Sequence, residues 1–541
     1  MNVSLTCGNW LRRTRLVMAW GVVLLAGTGT AWAQGETGAQ FDIDEFRVEG
    51  NSLLGAEAIE QAVQAHMGPS RSLKDVEAAR AALEKRYHDA GYLTVLVSIP
   101  EQSVDSGVVG LQVTEAPVAK LRVVGAQYHL PSAIKAQVDQ VAEGQVPNFD
   151  ELQKSLTAIN RAADLKVAPV LKPGKAPGTV EVQLDVDDQL PLHGSVDLSN
   201  RQSLNTSATR LGASMRYDNL WQLGHSLGVT LQTSPQDTRE TQVVSLNYLW
   251  PLSRSGDALS LYVVSSNSQF ATLYNSPGLG MLGNTHIAGA RYALPLDGPA
   301  DYVQSMTMGL DYKDVQQTLS LDGLSTDSPR VRYAPISLAY RGVWVNDQPQ
   351  PATLDLSAIL GLRRMLGNSD TAFNAKRAGA SASFTALRST LQLYRSLGKW
   401  TFGAKLEGQL ASGPLLPSEQ FVAGGADSVR GFYEGERSGD QAVRFSFEFN
   451  GPPVKFQAYK TDWRVNALAF IDEAQLQIKQ PSVGQSASTN LAGAGVGLRL
   501  SGPRGVGLQL DAARALTNGD VAGGGTAKGD WRVHARLSME F

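Results

Sequence analysis

Cysteine is almost absent: the 541 residues contain one, Cys7, and it lies in an N-terminal leader, so the chain left after processing has no disulfide and no thiol chemistry. Charge is sparse as well, at 18 % of residues, with a net value of -3. A mildly acidic chain argues against nucleic acid as a partner. No apolar run of about 18 residues follows the leader, so no helix is expected to span a membrane. If this chain sits in a membrane, it does so as a closed barrel, because only helices and closed barrels satisfy every backbone group in lipid. A Walker lysine motif, a His-Glu-x-x-His pair and clustered histidines are all missing, which argues against ATPase activity, a metal site or any cofactor. Two partial matches fail on context. Gly224-His225-Ser226-Leu227-Gly228 has the spacing of a nucleophile elbow but runs into a strand pattern instead of a helix. Gly278-Leu279-Gly280-Met281-Leu282-Gly283 lacks the helix that would turn its amides toward a phosphate. The chain reads as no enzyme.

What is present begins with that leader. Arg12, Arg13 and Arg15 precede an apolar run from Leu16 to Ala26, and Ala31-Trp32-Ala33 supplies a small-x-small cleavage site. Residues 1–33 therefore read as a secretory signal peptide. Its removal takes three arginines and no acid, so 48 basic residues less three against 51 acidic ones leave -6. Only residues 34–40, rich in glycine, then precede the first strand at Phe41. Fully extended they reach at most about 25 Å, so no N-terminal plug helix is expected.

Two small α+β units follow, 34–117 and 118–190, each in the order strand, helix, helix, strand, strand. In the first, a strand from Phe41 ends at Gly50-Asn51. Ile59 and Val63 mark one helix, and Val76, Ala79, Leu83 and Tyr87 share a face of the next. Ser72 and Asp75 stand in capping-box spacing at its start and Gly91 lies past its end. Strands are expected over 92–99 and 108–113. In the second unit, strands are expected over 118–124, 165–171 and 179–186, with helices over 131–141 and 150–160. From Pro191 helical periodicity gives way to period-2 alternation: Leu227, Val229 and Leu231 against Gly228 and Thr230, or Met306, Met308, Leu310 and Tyr312 against Thr307, Gly309 and Asp311. Tyr and Trp recur near segment ends, as in Tyr248-Leu249-Trp250-Pro251, the pattern of an aromatic girdle. A soluble β-sandwich would hide its apolar faces against each other, but the leader and the aromatic ends favour an outer-membrane barrel. Residues 191–541, at roughly 22 per strand with its share of loop, give about 16 antiparallel strands.

Three stretches stand out within the barrel. The Gly- and Ser-rich loop from Gly424 to Glu436 contains Val429-Arg430-Gly431-Phe432, a cation and an aromatic around a glycine that lets the backbone turn. Ala467 to Ala474 alternates so that Phe470 and Asp472 share a face while Ala469 and Ile471 take the other. The last segment puts Val533, Ala535, Leu537, Met539 and Phe541 on one face.

The chain as a whole resembles the transporters of two-partner secretion, the TpsB family of haemolysin and haemagglutinin secretion-activation type, in which periplasmic POTRA domains precede an outer-membrane barrel. Val48 to Leu54, Tyr87 with Gly91-Tyr92, Ile99 to Gln102, and Leu171 to Gly174 ahead of Gly178 resemble positions of the first and second POTRA. The resemblance implies that the loop bearing Arg430 folds back into the lumen. There Arg430 pairs with Asp472, which belongs to a Phe-x-Asp-x-Gly motif on the wall. This chain has Ala474 where the family has glycine, a departure that bears on close backbone approach and not on the charge pair. Phe541 resembles the terminal residue read by the barrel-assembly machinery. A secreted exoprotein of adhesin, haemolysin or contact-dependent toxin class and outer-membrane lipid are the other partners implied. The implied role is export of an unfolded partner without nucleotide. An assembly factor for other barrels is the alternative, but such proteins usually have three to five POTRAs, and a passive porin would need none.

Overall fold

The computed structural model describes residues 40–541 except 105, 161, 254–255, 273–279, 300, 317, 322–323, 328–329, 346–347 and 349. The leader expected over 1–33 lies outside the described residues, as do parts of the Gly278 to Gly283 stretch. The chain divides into two compact units, one ending at Pro117 and including Val146–Asn148, the other comprising Val118–Gln145 and Phe149–Phe541.

In the first unit Val108–Thr114 is the central strand, parallel to Glu45–Glu49 and antiparallel to Leu96–Ser98. Helix Leu73–Asp89 starts where the Ser72 amide donates to the Asp75 carboxylate at 2.8 Å. Its buried face is the expected stripe of Val76, Ala79, Leu83 and Tyr87, which shares a core with Val109, Leu111 and Val113. Each full-size aliphatic side chain removed from water there contributes roughly 1.5–3 kcal/mol. The strand expected over 92–99 is shorter because the amides of Gly91, Tyr92 and Val95 bond to His88, Tyr87 and Tyr92 carbonyls in turns.

The second unit opens with the same design. Val180–Asp188 is central, parallel to Val118–Val124 and antiparallel to Leu165–Pro173. In place of one helix over 131–141 there is a helix Pro131–Lys135 and a 3-10 turn Asp139–Val141, separated where Val138 adopts φ -128°, ψ 52°. Helix Phe149–Ile159 completes the core through Leu152, Leu156 and Ile159. The repeat extends to one atom. Gly50 follows the first strand of one unit at φ +81°, Gly125 that of the other at φ +93°, and a β carbon on either would lie 2.3 Å from a carbonyl oxygen of the central strand, Val113 or Val186. Glycine is demanded twice at the same place for the same reason.

The second unit continues as sixteen antiparallel strands that close a barrel. Two of the sixteen are interrupted: Val331–Tyr333 and Ile336–Trp344 both pair with Tyr302–Gln316, and Gln441–Asn450 and Val454–Ala458 both pair with Thr461–Gln477. Pro335 and Gly451-Pro452-Pro453 lie at the interruptions, since proline has no amide for the ladder. The last strand, Trp531–Glu540, pairs with Leu192–Ser199. Phe541 and Gly194 then exchange both backbone hydrogen bonds, at 2.7 and 2.9 Å. The Phe541 ring lies where a side chain at 194 would be, 2.4 Å from the site of its β carbon.

The outer surface is apolar, with Leu246, Val263, Leu310, Leu338, Leu356 and Phe447 exposed. Near the strand ends closest to Leu192 it becomes aromatic, with Trp400 stacked on Phe449 and Tyr302 beside Trp344, ring centroids 4.8 Å apart in each pair. The inner surface is polar and ion-paired, as at Arg291–Asp311 and Arg499–Asp511. Apolar outside and charged inside is the inversion expected of a barrel in lipid. No helix among the described residues is long and apolar enough to cross a membrane.

Candidate functional site: a loop gripped by the barrel wall

The long connection between Trp400–Ala411 and Gln441–Asn450 turns inward and packs against inward-facing wall residues. Val429 and Phe432 are fully buried with Ala474, Leu476, Leu491 and Ala515. Between them the Arg430 side chain is held by three partners. Its Nε and Nη2 donate to the two carboxylate oxygens of Asp472 at 2.6 and 2.8 Å, and its Nη1 to Glu448 at 2.6 Å. The guanidinium carbon lies 3.5 Å from the centroid of the Phe470 ring. The Arg430 amide also donates to Asp472, at 3.2 Å, and Ser446 Oγ donates to the same carboxylate at 2.6 Å. Asp472 has no exposed surface and Arg430 has 4 %. A forked guanidinium matches a carboxylate in a way that a lysine cannot.

The register explains how wall and loop fit. One inward row crosses four strands as Ser446, Asp472, Gly493 and Ala515, and the row below it as Glu448, Phe470, Gly495 and Ala513. Polar and aromatic side chains on two strands thus face a hollow made by glycine and alanine on the next two. The backbone of Arg430-Gly431 occupies that hollow. A β carbon at 493 would lie 1.9 Å from the Arg430 oxygen. Gly431, at φ +101°, turns the chain there and donates its amide to His534 Nε2 at 3.0 Å. His534 Nε2 therefore accepts, and the ring proton sits on Nδ1. Close backbone approach does occur, at Gly493 and not at 474, where Ala474 packs against the loop.

Other contacts fasten the loop along its length. Glu436 accepts from the Tyr433, Asp520 and Thr526 amides and from the Thr526 hydroxyl, at 2.7 to 2.9 Å. Arg201 pairs with Asp427 at 2.6 Å, and Arg532 stacks over Tyr433 at 3.5 Å. Arg444 binds Glu407 and donates to the Asp427 carbonyl. Asp440 pairs with Arg377 and accepts from the Leu415 and Lys479 amides. Sequence reasoning named Val429, Arg430, Gly431, Phe432, Phe470 and Asp472, all of which converge here, and Phe541, which lies at the barrel seam. It missed Glu448, Ser446, Glu436, His534 and Gly493. The one signal that pointed to Gly493 was the run Ala492-Gly493-Ala494-Gly495, a stretch of small residues whose two glycines share the inward face of the strand.

Among the described residues one group could hold a metal: Asp164, His193 and Asp218. Its ligand atoms are already engaged, His193 Nε2 with Asp164 at 2.9 Å and Asp218 with Arg216 Nε at 2.9 Å. It acts as a clamp between the second α+β unit and the first two strands. Ser226, in the elbow-like stretch, lies on strand His225–Thr233 with no helix after it.

The family model for haemolysin secretion/activation proteins of the ShlB/FhaC/HecB type matches residues 178–500, and that for the ShlB-type POTRA domain matches 41–116. The chain belongs to this family of two-partner secretion transporters. It is 23% identical over 511 residues to the outer membrane transporter CdiB of Dickeya dadantii, covering 86% of this chain and 81% of that one. It is 20% identical to the heme/hemopexin transporter protein HuxB of Haemophilus influenzae, covering 77% and 73%. Among solved structures, CdiB from Escherichia coli superposes with a TM-score of 0.64 at 20% identity, covering 95% of this chain and 93% of that one. The two-partner transporter is thus an outer-membrane protein with its POTRA region in the periplasm, and its family consists of transporters, not enzymes.

Proposed function

We propose that this two-partner transporter receives an unfolded secreted partner in the periplasm and passes it through the barrel without hydrolysing nucleotide. The second α+β unit is read as a second POTRA, supported by the matched positions of Gly50 and Gly125. Reception is assigned to exposed sheet edges, such as the outer half of Leu165–Pro173, where an extended chain can add as a strand through main-chain hydrogen bonds. The observation that carries the export reading is the loop around Arg430. Beside a small apolar cluster around Val429 and Phe432, it is held in the lumen by ion pairs and hydrogen bonds that can exchange for water, so it can hold the barrel shut and yet be displaced. Direction would come from folding of the partner outside. The partner class is a large exoprotein of adhesin, haemolysin or contact-dependent toxin type, and the barrel-assembly machinery would insert the transporter by reading Phe541.

Proteoliposomes containing the full transporter test this directly. The urea-unfolded exoprotein encoded beside the transporter gene is added to the POTRA side in the absence of nucleotide. Partner that becomes protected from added protease supports the reading. No protection, or protection only with ATP, refutes it.

A further inference from the structure

On the outer face of the wall, far round from the lumen loop, apolar side chains give way to cations within one step of the strand. Along Tyr302–Gln316, Met308, Leu310 and Tyr312 face outward and are exposed, while Asp311 and Lys313 face inward and pair with Arg291 and Glu419. The next outward position is Asp314. Its register neighbours are His286 on one side and Arg332 on the other. Arg330 donates to its carboxylate through Nε and Nη2, each at 2.6 Å, and Arg332 through Nε at 3.1 Å. Two guanidinium groups therefore share one carboxylate, a local excess of positive charge. Both arginines remain about half exposed, at 48% and 52% of their side chains. Asp314 does not engage the two η nitrogens of Arg332. Counting antiparallel strands from Leu192, this end of Tyr302–Gln316 is the one away from the periplasm.

Directly below the cations lies a trough. Ala288 stands in register between Val263 and Tyr312, and Ala290 between Leu261 and Leu310. Two methyl groups among branched and aromatic neighbours leave a cavity of about 530 Å³, which Met365 and Leu366 cover at one side. The covering turn is held in an unfavourable shape. Arg364 has φ +65° and Leu366 φ +56°, left-handed values that bulky residues avoid. Leu366 nevertheless presents 60% of its surface outward. An exposed leucine on a strained turn beside an apolar trough suits surroundings of hydrocarbon, not water.

We propose that trough and arginine pair together bind one phosphorylated acyl lipid of the outer leaflet. An acyl chain lies along Ala288 and Ala290 beneath Leu366, and a lipid phosphate takes the guanidinium donors of Arg330 and Arg332. Guanidinium and phosphate match as charge-assisted, forked partners. Asp314 holds the two arginines side by side, which their mutual repulsion would otherwise oppose. The position decides the source of the phosphate: the cations stand at the edge of the lipid-facing apolar belt, at headgroup height.

The test uses full-length transporter in detergent and native mass spectrometry with bisphosphorylated lipid A, alongside the same lipid stripped of both phosphates. The intact lipid is expected to remain bound, and the stripped lipid to bind roughly tenfold less, as a lost charge-assisted contact implies. The double variant Arg330→Gln with Arg332→Gln should lower binding of intact lipid by a similar factor. Ala288→Leu with Ala290→Leu fills the trough from the lipid side, keeps both arginines, and should also reduce binding. Millimolar inorganic phosphate should not displace the lipid. Equal binding of intact and stripped lipid overturns the proposal, as does displacement by inorganic phosphate. Should the arginine variant not fold, the alanine variant decides alone, and unchanged binding there also overturns it.

Discussion

Gly493 lacks a side chain at the very point where the backbone of Arg430 crosses the wall: the Arg430 oxygen stands 1.9 Å from where a β carbon on Gly493 would be. Gly493 is also the register neighbour of Asp472, the carboxylate that binds the Arg430 side chain. Side chain and backbone of one loop residue are thus received by adjacent positions of two strands. Gly493→Ala must push the loop off the wall, because the obstructing atom is backbone and cannot rotate away. The cost of such overpacking is about 1–3 kcal/mol. A folded, heat-modifiable barrel with raised conductance in planar bilayers and lowered export is the expected result. Unchanged conductance would show that the loop does not close the lumen.

Removing Arg430 leaves Asp472 buried without its cation, a loss of roughly 3–5 kcal/mol where one partner of a buried pair is taken away. Arg430→Ala should impair export while the barrel still inserts. Arg430→Lys should recover little, since an ammonium cannot grip Asp472 with two donors and Glu448 with a third. Exchanging the charges, Arg430→Asp with Asp472→Arg, should recover only part, because Glu448 then faces the loop carboxylate. Secretion assays on the two singles and the double decide it. Strict additivity would mean that the two residues act independently.

Deletion of residues 41–115 removes the first α+β module, with its core around Leu83, Tyr87 and Leu111. The barrel should still assemble and resist heat in detergent, and secretion of the partner should stop. Continued secretion would deny the unit a receiving role.

Asp188 supplies a pH dependence. Its burial favours the neutral form, but the amides of Gln127, Tyr128 and His129 all donate to the carboxylate, at 2.8 to 2.9 Å, and hold its pKa below the usual carboxylate value. With the folded value below the unfolded one of about 3.9, its contribution is complete above that pH and fades as the pH falls through the folded value. Asp188→Asn leaves amides without a charged acceptor and should cost roughly 1–3 kcal/mol near neutral pH. Thermal loss of the helical circular-dichroism signal, which comes mainly from the two α+β units, reports it. The difference between wild type and variant should shrink below about pH 4. A constant difference across that range would show that the charge of Asp188 contributes nothing.

Alternation along single strands was enough to assign faces: Phe470 and Asp472 inward, Ile471 outward, the terminal strand apolar on one side. Helical stripes such as Val76, Ala79, Leu83 and Tyr87 were equally legible, because periodicity and burial are local. The meeting of Arg430 with Asp472 was implied only by the resemblance of their two short motifs to those of the family; alternation gave no more than the face of Asp472. What the sequence could not place is whatever depends on which residues of separate strands stand side by side. The hollow that admits Arg430 needs Gly493 next to Asp472, and Glu448 and His534 reach the loop from strands on either side of it. The outward group of Arg330, Arg332 and Asp314 forms only when Val331–Tyr333 pairs with the far end of Tyr302–Gln316. Inter-strand register is set by backbone hydrogen bonds closed around the whole barrel, and a shift of two residues would preserve every face while separating each of these groups.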